Sequence, residues 1–171
     1  MATVSLEFLI TRMLSASEVA QLVAEAIPGY QAVDIFSSEE WSSQTITYSV
    51  HESEDLERWV CLLSLYNFPE NSKYDDFVEI ALAEQLYEKF SVNVIIATND
   101  IVSGLDPYDP YWCLALVDGV WYFASSAESR FMVGDEDVSL PPIQQQPRLI
   151  SPLNLNKPRR DLFAYRDLVR E

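Results

Sequence analysis

The chain has 171 residues, 49% of them apolar and 12% aromatic, with a mean hydropathy near zero; this excludes a disordered acidic tail and allows one domain burying roughly 70% of its unfolded surface. Its net charge of −16 is uneven: residues 1–137 carry 24 acidic and 5 basic side chains, a net of −19, and residues 138–171 carry 3 and 6, a net of +3. Phosphate contacts need clustered cations, so direct nucleic-acid binding by the acidic body is set aside, and with only 4 glycines there is little material for a phosphate-cradling loop.

Val4, Leu6, Phe8 and Ile10 alternate with Ser5, Glu7 and Leu9, which predicts a first strand. Ser15 and Glu18 then form a capping box, and Val19, Leu22, Val23 and Ala26 follow at helical spacing until Pro28-Gly29, so a helix is expected over residues 16–27. Residues 30–36 read as a short strand and residues 37–43 as a polar loop carrying Trp41. Ile46, Tyr48 and Val50 alternate with Thr45, Thr47, Ser49 and His51, a strand whose polar side is expected to face water.

Residues 56–68 read as a strand with Trp59, Cys61, Leu63 and Leu65 on one side and Val60, Leu62 and Tyr66 on the other; being apolar on both, it belongs in the middle of the sheet, and Pro69 ends it. Residues 73–90 carry the strongest helical pattern, with Ile80, Ala83, Leu86, Tyr87 and Phe90 inward and Glu84, Gln85, Glu88 and Lys89 outward. Asp75, Asp76 and Glu79 fall in its first turns, where the helix dipole favours anions. A buried strand over 92–97 and a loop over 98–111 follow.

Residues 112–117 and 120–124 flank Asp118-Gly119, a pair suited to the positive φ angles of a type I′ turn. The register sets Val117 against Val120, Leu116 against Trp121 and Leu114 against Phe123, with Trp112 on the same core face. Beyond Ser125, the acidic Asp135-Glu136-Asp137, three glutamines and five prolines predict an irregular segment, closed by a short helix over 160–171 that lies on the acidic body through Arg159, Arg160 and Arg166. The expected fold is therefore α+β: a single-domain two-layer sandwich with a mainly antiparallel sheet of five to seven strands and two helices on one face, the ferredoxin-like layout being one example. Residues 1–125 form the acidic domain and residues 126–171 a proline-containing extension packed on it.

No basic leader with a small-residue cleavage site is read at the N-terminus, and no apolar run reaches the roughly 18 residues of a membrane span. Cys61 and Cys113 lie in apolar strand patterns and read as buried free thiols, which fits a reducing, cytoplasmic location. His51 is the only histidine, so a histidine-paired metal or catalytic site has no second imidazole. Its use as the base of a small hydrolase would require a nucleophile and an orienting group within hydrogen-bond reach. The acidic stretches 106–111 and 134–137 lack calcium-loop spacing and read as solvated turns. No catalytic residue, metal or cofactor is assigned.

The helix Ile80-Ala81-Leu82-Ala83-Glu84-Gln85-Leu86, the strand at 92–97, the Asp-Pro-Tyr loop and the aromatic hairpin closed by Asp118-Gly119 resemble the layout of immunity proteins from bacterial polymorphic toxin systems, over about residues 74–125. The resemblance implies an acidic, cytoplasmic, non-catalytic inhibitor of a toxin domain. It carries no shared functional residues to transfer, and the proline-rich C-terminal segment lies outside it.

Unit charges about 10 Å apart in water repel by roughly 0.4 kcal/mol before screening. An acidic excess of this size thus costs stability, while complementary charge speeds capture of a cationic partner. The expected partner is a cationic protein, a cognate toxin domain with a nuclease as the leading candidate, whose phosphate sites the carboxylates would occupy in imitation of DNA. The expected contact surface combines Glu52, Glu54, Asp55 and Glu57 with Asp75, Asp76, Asp106 and Asp109, and takes Trp41 and Tyr108 as aromatic anchors. Either a monomer or a homodimer fits this reading. The alternative is an acidic secretion chaperone or adaptor that holds an effector protein.

Overall fold

The computed structural model describes residues 3–52, 59–69, 78–97, 102–103, 112–125, 148–152 and 163–164. In chain order these form β1 (Thr3–Ile10), α1 (Ala16–Ala26), β2 (Gln31–Asp34), β3 (Thr45–Glu52), β4 (Cys61–Pro69), α2 (Val78–Phe90), β5 (Val94–Ala97), β6 (Val102–Ser103), β7 (Trp112–Val117), β8 (Val120–Ser125), β9 (Arg148–Pro152) and β10 (Phe163–Ala164). Eight strands make one sheet in the order β2-β3-β4-β1-β5-β7-β8-β9, antiparallel except for the pair β2-β3; β6 and β10 form a separate parallel pair. Within the large sheet, β1-α1-β3-β4-α2-β5 with strand order β3-β4-β1-β5 is the split ferredoxin-like arrangement. β2 extends one side of this core, and the hairpin with β9 extends the other.

Both helices cover the same sheet face. Register puts Leu6, Phe8 and Ile10 beside Leu65, Leu63 and Cys61, and this row packs with Val19, Leu22 and Val23 of α1 and Ile80, Ala83 and Leu86 of α2. The capping box is present: Ser15 Oγ accepts from the Glu18 backbone N–H, and Glu18 Oε1 accepts from that of Ser15. α2 ends where Ser91 enters the left-handed region, φ 53°, and donates its N–H to the Tyr87 carbonyl. The hairpin has the expected register, with positive φ at Asp118 (49°) and Gly119 (81°) as a type I′ turn requires. Leu114, Leu116, Trp121 and Phe123 are all buried in the main core.

Several expectations are corrected. The polar side of β3 does not face water: Thr45, Thr47 and Ser49 are buried, as is Ser64 across from Ser49 on β4. Local partners satisfy these hydroxyls, since Ser49 Oγ lies 3.3 Å from Tyr66 Oη and Asn67 Nδ2 donates to Thr47 Oγ1 at 3.5 Å. β4 also breaks simple alternation. Val4 pairs with Phe68 and Leu6 with Leu65, so Tyr66 and Asn67 together oppose Ser5 in a bulge whose Asn67 has φ 59°. The extra residue turns Phe68 into the core and leaves Asn67 exposed. Trp59 joins a second buried cluster, with Ile95, Cys113, Ala115 and Ala124, on the sheet face away from the helices and not on the side of Leu63.

α2 buries Ala81 and Leu82 along with its expected stripe, and Glu84 is drawn into a bond from Trp121 Nε1 at 3.2 Å. Residues 148–152 are a strand on β8, residues 102–103 pair with residues 163–164, and the latter are extended where a helix was expected. Backbone pairing across a sheet edge needs no apolar periodicity, so a proline-rich sequence can supply it without a recognisable pattern. The outer parts of the expected strand at 56–68 and helix at 73–90, and Arg159, Arg160 and Arg166, lie outside the described residues. No helix among the described residues is long and apolar enough to cross a membrane.

Candidate functional site

β2 and β3 run parallel, so the chain must travel back from the end of one to the start of the other, and residues 35–44 make that return along the β2 end of the sheet. Its geometry is local. The Asp34 carboxylate accepts from the Phe36 backbone N–H at 2.9 Å, the Ser37 hydroxyl from that of Glu39 at 3.3 Å, and Thr45 Oγ1 from that of Ser42 at 2.9 Å. The Ile35 N–H donates to the Tyr48 carbonyl, which pins the start of the return to β3. With its polar atoms satisfied close to the backbone, the segment turns Phe36 and Trp41 outward. They are 79% and 55% exposed, the most exposed large apolar side chains among the described residues.

Phe36 stands edge-on to His51, ring centroids 6.1 Å apart, next to the exposed Glu52 at the end of β3. Trp41 follows Glu39 and Glu40, both exposed. Five residues of chain hold the Phe36 and Trp41 Cα atoms within about 18 Å of each other. Burial, and then the nearby carboxylates of Asp34 and Glu39, push the Tyr48 phenol above its ordinary range, so both acids bear on the same side chain.

Charge is asymmetric here. Residues 13–57 contain nine Asp or Glu and no Lys or Arg. Of the acids among them that the structure describes, Glu18 pairs with Arg12 and Glu25 with Lys89. Asp34, Glu39, Glu40 and Glu52 have no cationic partner among the described residues. Arg148, the remaining described cation, lies on β9 at the other edge of the sheet, about 34 Å away at seven strand spacings. Carboxylates also occur elsewhere, with Glu7 on the sheet face away from the helices, Glu79, Glu84 and Glu88 on α2, and Asp118 in the hairpin turn. Among the described residues, what distinguishes the β2–β3 return is that acids without a described cationic partner coincide with exposed aromatic rings.

Of the ten expected contact residues, the structure describes Trp41 and Glu52 and does not bring them together. Trp41 precedes the start of β3 and Glu52 ends it, about 24 Å further along the strand. Glu54, Asp55, Glu57, Asp75, Asp76, Asp106, Tyr108 and Asp109 lie outside the described residues. Sequence reasoning missed Phe36, Glu39 and Glu40. Phe36 falls in the stretch read as a strand, although Asp34, two positions earlier, is a residue type that caps such a turn.

Groups with chemical reactivity do not converge among the described residues. His51 is exposed and its ring contact is with Phe36. Cys61 and Cys113 are free and buried; burial raises both thiols, Cys113 to about 12. No group of three or more His, Cys, Asp or Glu side chains that could hold a metal occurs among the described residues. No family model, curated protein or solved structure matches the chain.

Proposed function

We propose that the protein is a cytoplasmic, non-catalytic immunity-type inhibitor that binds a cationic bacterial toxin domain, a nuclease being the leading candidate, and neutralises it by covering its active site. The observation that carries this reading is the coincidence, on the β2–β3 return, of carboxylates without a cationic partner among the described residues and two exposed aromatic side chains, within a body whose first 137 residues hold a net charge of −19. Interfaces concentrate their binding energy in aromatic and arginine side chains, while charge of opposite sign steers the encounter. A catalytic cleft that binds phosphates presents the cations such a surface needs.

The test is to read the reading frame adjacent to this chain's gene and to co-express its product, expected to be a basic toxin domain, with this chain. The expected result is relief of the toxin's growth arrest, a complex that co-elutes on gel filtration, and an association rate that falls as NaCl rises from 50 to 500 mM. A toxin that stays active in the presence of this chain overturns the reading. So does a dimer that holds an extended effector segment equally well at both salt concentrations, which is the behaviour of a secretion chaperone.

A further inference from the structure

We infer that Trp41 anchors an arginine-docking site, in which a guanidinium of the cationic partner stacks on the Trp41 indole while Glu39 and Glu40 hold its N–H groups. This deepens the proposed function and rests on it. An indole 55% exposed on a segment tied to its own backbone and to β3 loses little freedom on binding, so more of its contact energy is retained. The chemistry of its surroundings selects the occupant. An apolar segment would strip water from Glu39 and Glu40 without replacing their hydrogen bonds. An acidic one would be repelled. A second copy of this chain brings a further −16, and its described cations are Arg12 and Lys89, already in ion pairs, and Arg148 at the far sheet edge.

Arginine is preferred to lysine because its planar guanidinium stacks on a ring face and still presents N–H donors in plane to carboxylates, whereas an ammonium is a strongly hydrated point charge. Phe36, 79% exposed beside His51 and Glu52, supplies a second ring for a neighbouring side chain of the same segment.

The experiment titrates the full chain with a blocked decapeptide carrying four arginines spaced by glycine, and with its lysine counterpart, by calorimetry at 50 mM NaCl. The arginine peptide should bind three- to tenfold more tightly. W41A should abolish that preference, W41F should keep part of it, and E39Q/E40Q should weaken both peptides, the arginine peptide more than the lysine one. Equal binding of the two peptides, or W41A indistinguishable from the parent, overturns the inference. Equal binding of an uncharged leucine-bearing peptide also overturns it, as does self-association in sedimentation velocity that W41A removes, because the occupant would then be an apolar segment or a second copy. If the arginine preference is missing but the neighbouring toxin is still neutralised, the docking site falls and the proposed function stands. If the preference is present but the toxin is not neutralised, the proposed function falls and the arginine site stands.

Discussion

Glu18→Gln separates two roles of one side chain. Glu18 accepts from the Ser15 backbone N–H at 3.0 Å and from both terminal nitrogens of Arg12 at 3.0 and 2.9 Å. Arg12 also donates to the carbonyls of Met13 and Phe90, so one guanidinium joins the end of β1, the start of α1 and the end of α2. Glutamine keeps an acceptor for the capping box and loses the charge. Arg12 and then the Ser15 backbone N–H hold the Glu18 carboxyl down to about 2, against an ordinary 4.5. Taken whole, that shift is worth roughly 3 kcal/mol. The Arg12 side chain is 46% exposed, so water screens the pair and the expected contribution is about 1 kcal/mol. The folded-state value lies below the unfolded one, so this stability is fully present above about pH 4.5 and is lost as pH falls toward about 2. Urea unfolding, with a slope of about 2 kcal/mol/M, should place the variant's midpoint roughly 0.5 M below the parent's at pH 7. The gap should narrow as pH falls from about 4.5 toward about 2, and also in 1 M NaCl. A gap of the same size at pH 7 and pH 3 would refute the assignment of this stability to the ion pair.

Gly119→Ala places a methyl at φ 81° and 3.1 Å from Tyr87 Oη; thermal unfolding should show a loss of about 1 to 2 kcal/mol, and an unchanged midpoint would contradict the type I′ turn. Leu63→Ala, fully buried between Phe8 and Val50, should cost about 2 to 5 kcal/mol in denaturant titrations, at least twice the loss from Leu62→Ala on the opposite, half-buried side. Cys113, whose thiol burial pushes up to about 12, should stay protonated and resist iodoacetamide at pH 8, reacting only once urea unfolds the chain; rapid labelling of the native protein would contradict its burial.

What could be read along the chain were the features set by neighbours in sequence. Ser15 and Glu18 are three residues apart, so their capping box is local, and the inward stripe of α1 follows from helical periodicity alone. The hairpin was equally legible, because Asp118-Gly119 sets the turn and the turn sets every pair up to Trp112. Apolar residues on both faces likewise put β4 inside the sheet, between β3 and β1.

Long-range packing decided the rest. Period-two alternation says that Thr47 and Ser49 share a side but not whether that side meets water, and their burial depends on what the folded chain lays over them. The bulge at Asn67 is invisible in the apolar pattern, yet it selects Phe68 for the core by sparing one residue from pairing with β1. Composition alone established the acidic excess and the lack of material for phosphate loops. The placing of Phe36, Glu39, Glu40 and Trp41 along one sheet edge was decided by the parallel pairing of β2 with β3. That pairing forces a ten-residue return along the edge, and hydrogen bonds formed there turn its rings toward solvent.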